Sequence, residues 1–228
     1  MSNRKRQYKK LKCEKYKDRD VFKSFLVKNA SYDGDSEIPI LNGTSEIPDE
    51  LVLFSKSIKL CRNNKWICFY EDDSQIERFW NTPRKYLNII KKAKGVILPD
   101  FSLFRDMPLV QQNWNIYRSR ALGTWLEEQG IKIIPNIRWA DNRTYGTCCL
   151  GIKRNSTIAI GTHGILKKNE ERNHFIKGLD YVIDRLSPKN IVIYGATPEN
   201  IFGKYRKLGI NICQFDSETS RYHQSRCC

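Results

Sequence analysis

Six short apolar runs recur in the chain, and longer stretches with helical character separate most of them. The runs are Trp66–Tyr70, Gly95–Leu98, Ile131–Ile134, Thr157–Ile160, Ile191–Tyr194 and Ile210–Cys213. Runs of four or five apolar residues bounded by turn signals read as buried strands. Helices alternating with such strands mean βαβ units, because a parallel pair needs a long crossover. The pattern predicts an α/β domain with a mainly parallel sheet of about six strands and alternating helices. It fits either a doubly wound sheet or a partly closed barrel, with right-handed crossovers.

The helical stretches carry their own punctuation. Ser74-Gln75-Ile76-Glu77 has the spacing of a capping box, and Pro83 divides the helical stretch after it into two short helices. A longer helix is expected from Pro108 to Glu128, with Leu109, Trp114, Tyr117, Ala121, Leu122 and Trp125 as its apolar stripe and Gly130 past its end. Asn115 and Arg118 share a face of it, from which Arg118 either reaches the strand ends or is solvated, and Arg120 is expected in solvent. Further helices are expected from about Asn169 to Leu186 and after Thr197-Pro198, read as N-cap and first helical residue, ending at Gly209. Residues 31–65 are rich in turn signals and hold one short strand at Leu51–Phe54.

Charge narrows the partners. The net charge is +15, from 40 Lys and Arg against 25 Asp and Glu, which favours polyanions through counterion release and steering. Residues 1–30 form a basic head, read as a mobile arm ahead of a single α/β domain at 31–228. Arg4, Lys5, Arg6, Lys9, Lys10 and Lys12 are its candidate phosphate contacts, and Tyr8 and Tyr16 among the cations would allow base stacking. The basic N-terminus lacks a following apolar segment, and no apolar run approaches the ~20 residues of a membrane span. A cytoplasmic protein with no membrane partner is expected. The eight cysteines include no Cys-x-x-Cys pair, which suits reduced thiols better than a zinc site or a disulfide framework. Zinc held by Cys148, Cys149, Cys227 and Cys228 is the weaker alternative.

Ligands of parallel α/β folds bind at the carboxyl ends of the strands. The residues there are Glu71, Asp72 and Asp73 after the first run, Asp100, Ser102, Arg105 and Asp106 after the second, and Asn136, Arg138, Trp139 and Asp141 after the third. Thr162 and His163 come after the fourth, Tyr194 and Thr197 after the fifth, and Asp216 after the last. Asp100, Arg138, Asp106 and His163 are the candidate catalytic residues. Arg105, Asn136, Trp139, Thr162 and Arg118 are candidates for holding a substrate. Carboxylates from several strand ends could hold Mg²⁺, the arginines could clamp a phosphate, and Asp100 or His163 could move a proton. Each also has a structural reading: the acids favour helix starts, Asp100 pairs with Arg138, and His163 occupies a turn. No P-loop, dinucleotide fingerprint or nucleophile elbow is present.

Through Pro99-Asp100-Phe101-Ser102, Arg105-Asp106-Met107-Pro108, Pro135-Asn136-Ile137-Arg138-Trp139, Thr162-His163-Gly164 and Tyr194-Gly195, the chain resembles a domain-of-unknown-function family found in bacteria, archaea, phages and integrated mobile elements. The resemblance covers about residues 38–195. It implies a setting in phage or mobile-element biology and assigns no reaction. The expectation is a nucleic-acid-binding protein contacting phosphates through its basic arm and surface. The alternative is an enzyme with its site at the strand ends, possible metal assistance included, acting on a nucleotide or phosphodiester. A module that binds a host protein is a third reading.

Overall fold

The structure, a computed structural model, describes residues 20–58, 65–218, 220 and 222. The basic positions Arg4, Lys5, Arg6, Lys9, Lys10 and Lys12 lie outside the described residues, as do Cys227 and Cys228. The Asp20 carboxylate accepts from the Ser24 and Phe25 amides and the Ser24 hydroxyl, while Val21 and Phe22 stay exposed. A 3₁₀ turn, Ser24–Val27, then buries Leu26 and Val27 in the core. Packing therefore begins upstream of the expected boundary at residue 31.

The elements run in this order. A two-stranded hairpin, β1 (Tyr32–Asp33) and β2 (Ile38–Pro39), precedes β3 (Leu51–Leu53) and the single turn α1 (Phe54–Ser57). Then come β4 (Trp66–Cys68), α2 (Asp73–Asn81), α3 (Pro83–Ile90), β5 (Gly95–Ile97) and the long α4 (Leu109–Glu128). β6 (Ile133–Ile134), α5 (Asn142–Cys148), β7 (Thr157–Gly161), α6 (Asn169–Leu186), β8 (Asn190–Tyr194), α7 (Glu199–Lys207) and β9 (Asn211–Phe215) complete the chain.

Seven strands are parallel and lie in chain order, β3-β4-β5-β6 in one sheet and β7-β8-β9 in the other. A parallel bridge, Asn136 to Ala159, joins them, with the Ile137 amide donating to Ala159 O and the Ala159 amide to Pro135 O, both at 2.9 Å. The order never reverses, so the reversal that defines a doubly wound sheet is absent among the described residues. β3 and β9 do not pair there either, so the strands curl without closing. The curl has one interior: Leu51, Trp66, Cys68, Ile97, Ile134, Ala159, Val192 and Tyr194 pack together although they come from both sheets. Residues of opposite parity face the helices. Ile67, Phe69, Val96 and Leu98 join α2, α3 and α4 in one cluster, while Ile158, Ile160, Ile191 and Ile193 join α6 and α7 in another.

Several local expectations are corrected. No capping box forms at Ser74: α2 starts at Asp73 after Asp72, and Glu77 is drawn into an ion pair with Arg118 instead. Pro108 and Pro198 precede their helices rather than starting them, and Thr197 donates to Gln214 Oε1 instead of capping. Leu109 and Trp114, placed on the buried stripe of α4, are exposed. Arg120, expected in solvent, is buried, because β2, β6 and α5 pack against α4 and its guanidinium meets the backbone carbonyls of Asn136, Cys148 and Leu150.

Trp66 fills the middle of the interior against Gly95, where an added Cβ would stand 2.4 Å from its ring. Since that ring is fully buried and cannot swing away, Gly95→Ala should destabilise the fold by about 1–3 kcal/mol. Urea unfolding followed by circular dichroism would show the drop in midpoint; an unchanged midpoint would contradict this packing.

Candidate functional site

The carboxyl ends of β5, β6 and β7 open into a cavity of about 740 Å³. The loop after β5 contributes Leu103, Phe104, Arg105 and Asp106, and the loop after β6 contributes Arg138 and Trp139. His163 and Lys168 come from the segment after β7, and Phe175 from α6. One wall is aromatic: Trp139 stacks on Phe175 at 5.3 Å between centroids, and Gly178 leaves room for the Trp139 indole.

Behind the cavity runs a chain of hydrogen bonds that crosses three strands. The Tyr70 hydroxyl, just past β4, donates to Asn136 Oδ1 at 2.9 Å, and Asn136 Nδ2 donates to Asp100 Oδ1 at 2.7 Å. Arg138 Nη1 donates to the other oxygen, Asp100 Oδ2, at 2.6 Å. Tyr70 also stacks on Tyr194, at the end of β8, with ring centroids 4.6 Å apart. Gly161 permits this crowding, since its Cβ would lie 3.1 Å from the Tyr70 ring and 3.5 Å from Asp100. Both oxygens of Asp100 are therefore engaged, which suits a residue that orients others. Arg138 spends one nitrogen on that carboxylate; its Nε and Nη2 have no partner among the described residues, and its side chain is a quarter exposed beside the cavity. Asn136 is held from below as well, because Arg120 Nη1 donates to its carbonyl at 3.0 Å.

The remaining candidates divide. His163 and Asp106 line the cavity, exposed and without a partner among the described residues, and His163 sits in a turn closed by Ile165 N on Thr162 O. Thr162 is buried, and its hydroxyl donates to Ala196 O at 2.8 Å. Arg105 donates to Glu170 and to Glu171, each at 2.7 Å, and these two carboxylates of the first turn of α6, Glu171 foremost, hold its guanidinium above its ordinary range. Arg118 lies beneath the site: it pairs with Glu77, donates to Asn115 Oδ1 and stacks on Phe101. The strand-end carboxylates meet at no common centre. Glu71 accepts from Ser55 N, Asp73 accepts from Ser102 N, and Asp141 caps α5 while binding Arg143. Among the described residues, no group of three or more His, Cys, Asp and Glu side chains is placed to hold a metal ion. Cys148 and Cys149 are buried free thiols with sulfurs 3.9 Å apart.

Sequence reasoning missed Tyr70, Lys168, Phe104 and Phe175. Tyr70 had a visible signal as the last residue of its apolar run, just as Tyr194 ends its own. Lys168 and Phe175 had none, because α6 reaches the site only through the fold.

The fold and site define a parallel α/β protein with a cation-bearing, aromatic-walled cavity at its strand ends. The chain belongs to the family described as domain of unknown function DUF4417, whose model matches residues 30–216. It is similar to the Gene 1 protein of Mycobacterium phage L5, with 35% identity over 162 residues covering 70% of this chain and 71% of that one. It is also similar to the Gene 1 protein of Mycobacterium phage D29, with 32% identity over 166 residues covering 70% of this chain, and it spans only 60% of that relative's length. No solved structure matches the chain. Among the described residues, no helix is long and apolar enough to cross a membrane.

Burial first, and then the charge of Asp100, pushes the Tyr70 phenol well above the ordinary tyrosine value. The folded state therefore retains a proton that the unfolded chain releases near pH 10, so this stability is full below pH 10 and is lost as pH rises above it. Ultraviolet titration should show the same phenolate step near pH 10 in wild type and Tyr70→Phe. A smaller step in Tyr70→Phe would mean that Tyr70 titrates normally.

Proposed function

We propose that this chain is a nucleic-acid-binding protein of a phage or mobile genetic element, and that its strand-end cavity seats a backbone phosphate on Arg138. The observation that carries the reading is the half-committed guanidinium: Asp100 holds one nitrogen, and a second edge is left for an anion. Planar guanidinium edges match phosphate oxygens bidentately. His163 and Lys168 line the same cavity without a carboxylate partner among the described residues, while Arg105, the other arginine there, is neutralised by α6. The phage relatives and the net charge of +15 agree with a polyanionic partner. The basic head before residue 20 adds sequence-independent attraction to that partner. The reading places the protein in the cytoplasm.

A charge-assisted hydrogen bond contributes about 1.5–3 kcal/mol, so Arg138→Ala should weaken oligonucleotide binding by roughly 10- to 100-fold. The salt slope should fall by about one counterion, and the melting temperature should fall as well, because the enclosed Asp100 carboxylate loses its cation. Fluorescence anisotropy across a salt series measures both; unchanged affinity or a flat salt response would overturn the reading.

A second reading, an enzyme acting on a phosphodiester or nucleotide, is favoured by His163 and Asp106, which line the cavity with Arg138 and are free to move protons. Cleavage of a labelled oligonucleotide with Mg²⁺ supplied, lost in His163→Ala, would support it; no cleavage by the wild type would remove it.

A further inference from the structure

Among the described residues, Phe22, Tyr181 and Tyr222 are exposed aromatics away from the cavity, and Trp114 is the one exposed tryptophan. Trp114, in the first two turns of α4, is 45% exposed, and Val110, one turn earlier, is 77% exposed. Trp114 is not loose: it stacks on Tyr117 at 5.4 Å with 15° between the planes, and meets Trp80 of α2 edge-on at 5.7 Å. The indole is therefore fixed in position with nearly half of it open to solvent, where a flat π-face can take a stacking partner.

The surroundings indicate the charge of that occupant. Lys23 Nζ lies 5.5 Å from the centroid of Trp80 and is fixed by donating to Asn81 O. The neighbouring helices α2 and α3 carry Arg78, Arg84 and Lys85 against Asp73 and Glu77, and Arg84 lies over the Phe25 ring at 4.0 Å. Glu77 is paired with Arg118, whereas Asp73 accepts only from the neutral Ser102 amide and keeps its charge. The first nineteen residues of the sequence carry nine Lys and Arg against two acids, and they join the described chain at Asp20, three residues before Lys23.

The face and the cavity are tied together through the interior: buried Arg118, beside Trp80, stacks on buried Phe101 at 3.9 Å, and the loop that begins there leads to Phe104, 54% exposed at the cavity rim.

We infer that a single-stranded nucleic acid lies along this face, one base stacked on Trp114 and its phosphates against the cations of α2, α3 and Lys23, on its way to the phosphate seat at Arg138. Interleaved aromatic planes and cations are the means by which proteins hold unpaired strands, because each base offers a π-face and each nucleotide a charge. A duplex keeps its base faces stacked internally and cannot use an exposed indole in this way. The inference rests on the nucleic-acid reading above and adds the strandedness and path of the partner.

The test uses the full chain and a fluorescein-labelled oligo(dT), with a duplex of equal length as the second probe, followed by anisotropy. The wild type should prefer the single strand. Trp114→Ala should weaken single-strand binding about tenfold or more, leave duplex binding unchanged and keep the melting temperature, while Trp114→Phe should retain most of the affinity. Wild-type preference for duplex, or equal single-strand affinity in Trp114→Ala, would overturn the inference. So would a change in molecular mass by light scattering in Trp114→Ala, which would assign the face to a second copy of the chain. Loss in Trp114→Ala with none in Arg138→Ala would keep the stacking of a single strand on Trp114 and reject both the phosphate seat and the path to it. No binding of either probe by the wild type would reject both.

Discussion

Asn136 is the point on which the two halves of the structure turn. Its backbone forms the bridge that, among the described residues, joins the four-stranded and three-stranded sheets, opposite Ala159. Its amide side chain accepts from Tyr70 and donates to Asp100, so the end of β6 is tied to those of β4 and β5. Its carbonyl receives Arg120 from α4. Asn suits this post because its side chain carries both a carbonyl and an NH₂ group; an aspartate would offer Asp100 repulsion, and a leucine would leave the Tyr70 hydroxyl and an Asp100 oxygen without that partner.

The arginines beneath the site extend the same logic. Arg120 is buried with no carboxylate partner among the described residues and instead donates to the carbonyls of Asn136, Cys148 and Leu150. Burial pushes its guanidinium down to about 10, far enough to show the cost of enclosing it and not far enough to discharge it near neutrality. What it secures is position: β6, the end of α5 and the turn after it are fixed to one rigid fork. Arg118, by contrast, is neutralised by Glu77 and stacked between Phe101 and Trp80, which links the outer aromatic face to the loop after β5. Three arginines of one region thus do three jobs, and only Arg138 keeps an edge for a ligand.

The same division separates what was legible in the sequence from what was not. The six apolar runs became β4 to β9: β4 to β8 are buried parallel strands, which read as short apolar runs, a local property, and β9 is a partly exposed one. The helix from Asn169 to Leu186 was legible for the same reason. The hairpin Tyr32–Asp33 with Ile38–Pro39 was not, since strands of two residues have no period. Nor was α5, whose Thr, Gly and Cys residues favour no helix and whose start depends on the Asp141 cap. The pairing of Asp100 with Arg138 was legible as one of two alternatives, because both sit on polar motifs that end buried strands. The fate of Arg105 was hidden, because Glu170 and Glu171 stand 65 and 66 residues away. The burial of Arg118 and Arg120 was hidden too, because arginines on an apolar helix look solvated until the elements around that helix are known.

On the nucleic-acid reading proposed above, Asp100 serves the ligand only by aiming Arg138. A double-mutant cycle on oligonucleotide affinity, using Asp100→Asn, Arg138→Ala and the double variant, isolates that dependence. The account predicts that Asp100→Asn weakens binding in the wild type and has no further effect once Arg138 is gone. Equal losses from Asp100→Asn in both backgrounds would contradict it, since Asp100 would then act on the ligand without Arg138.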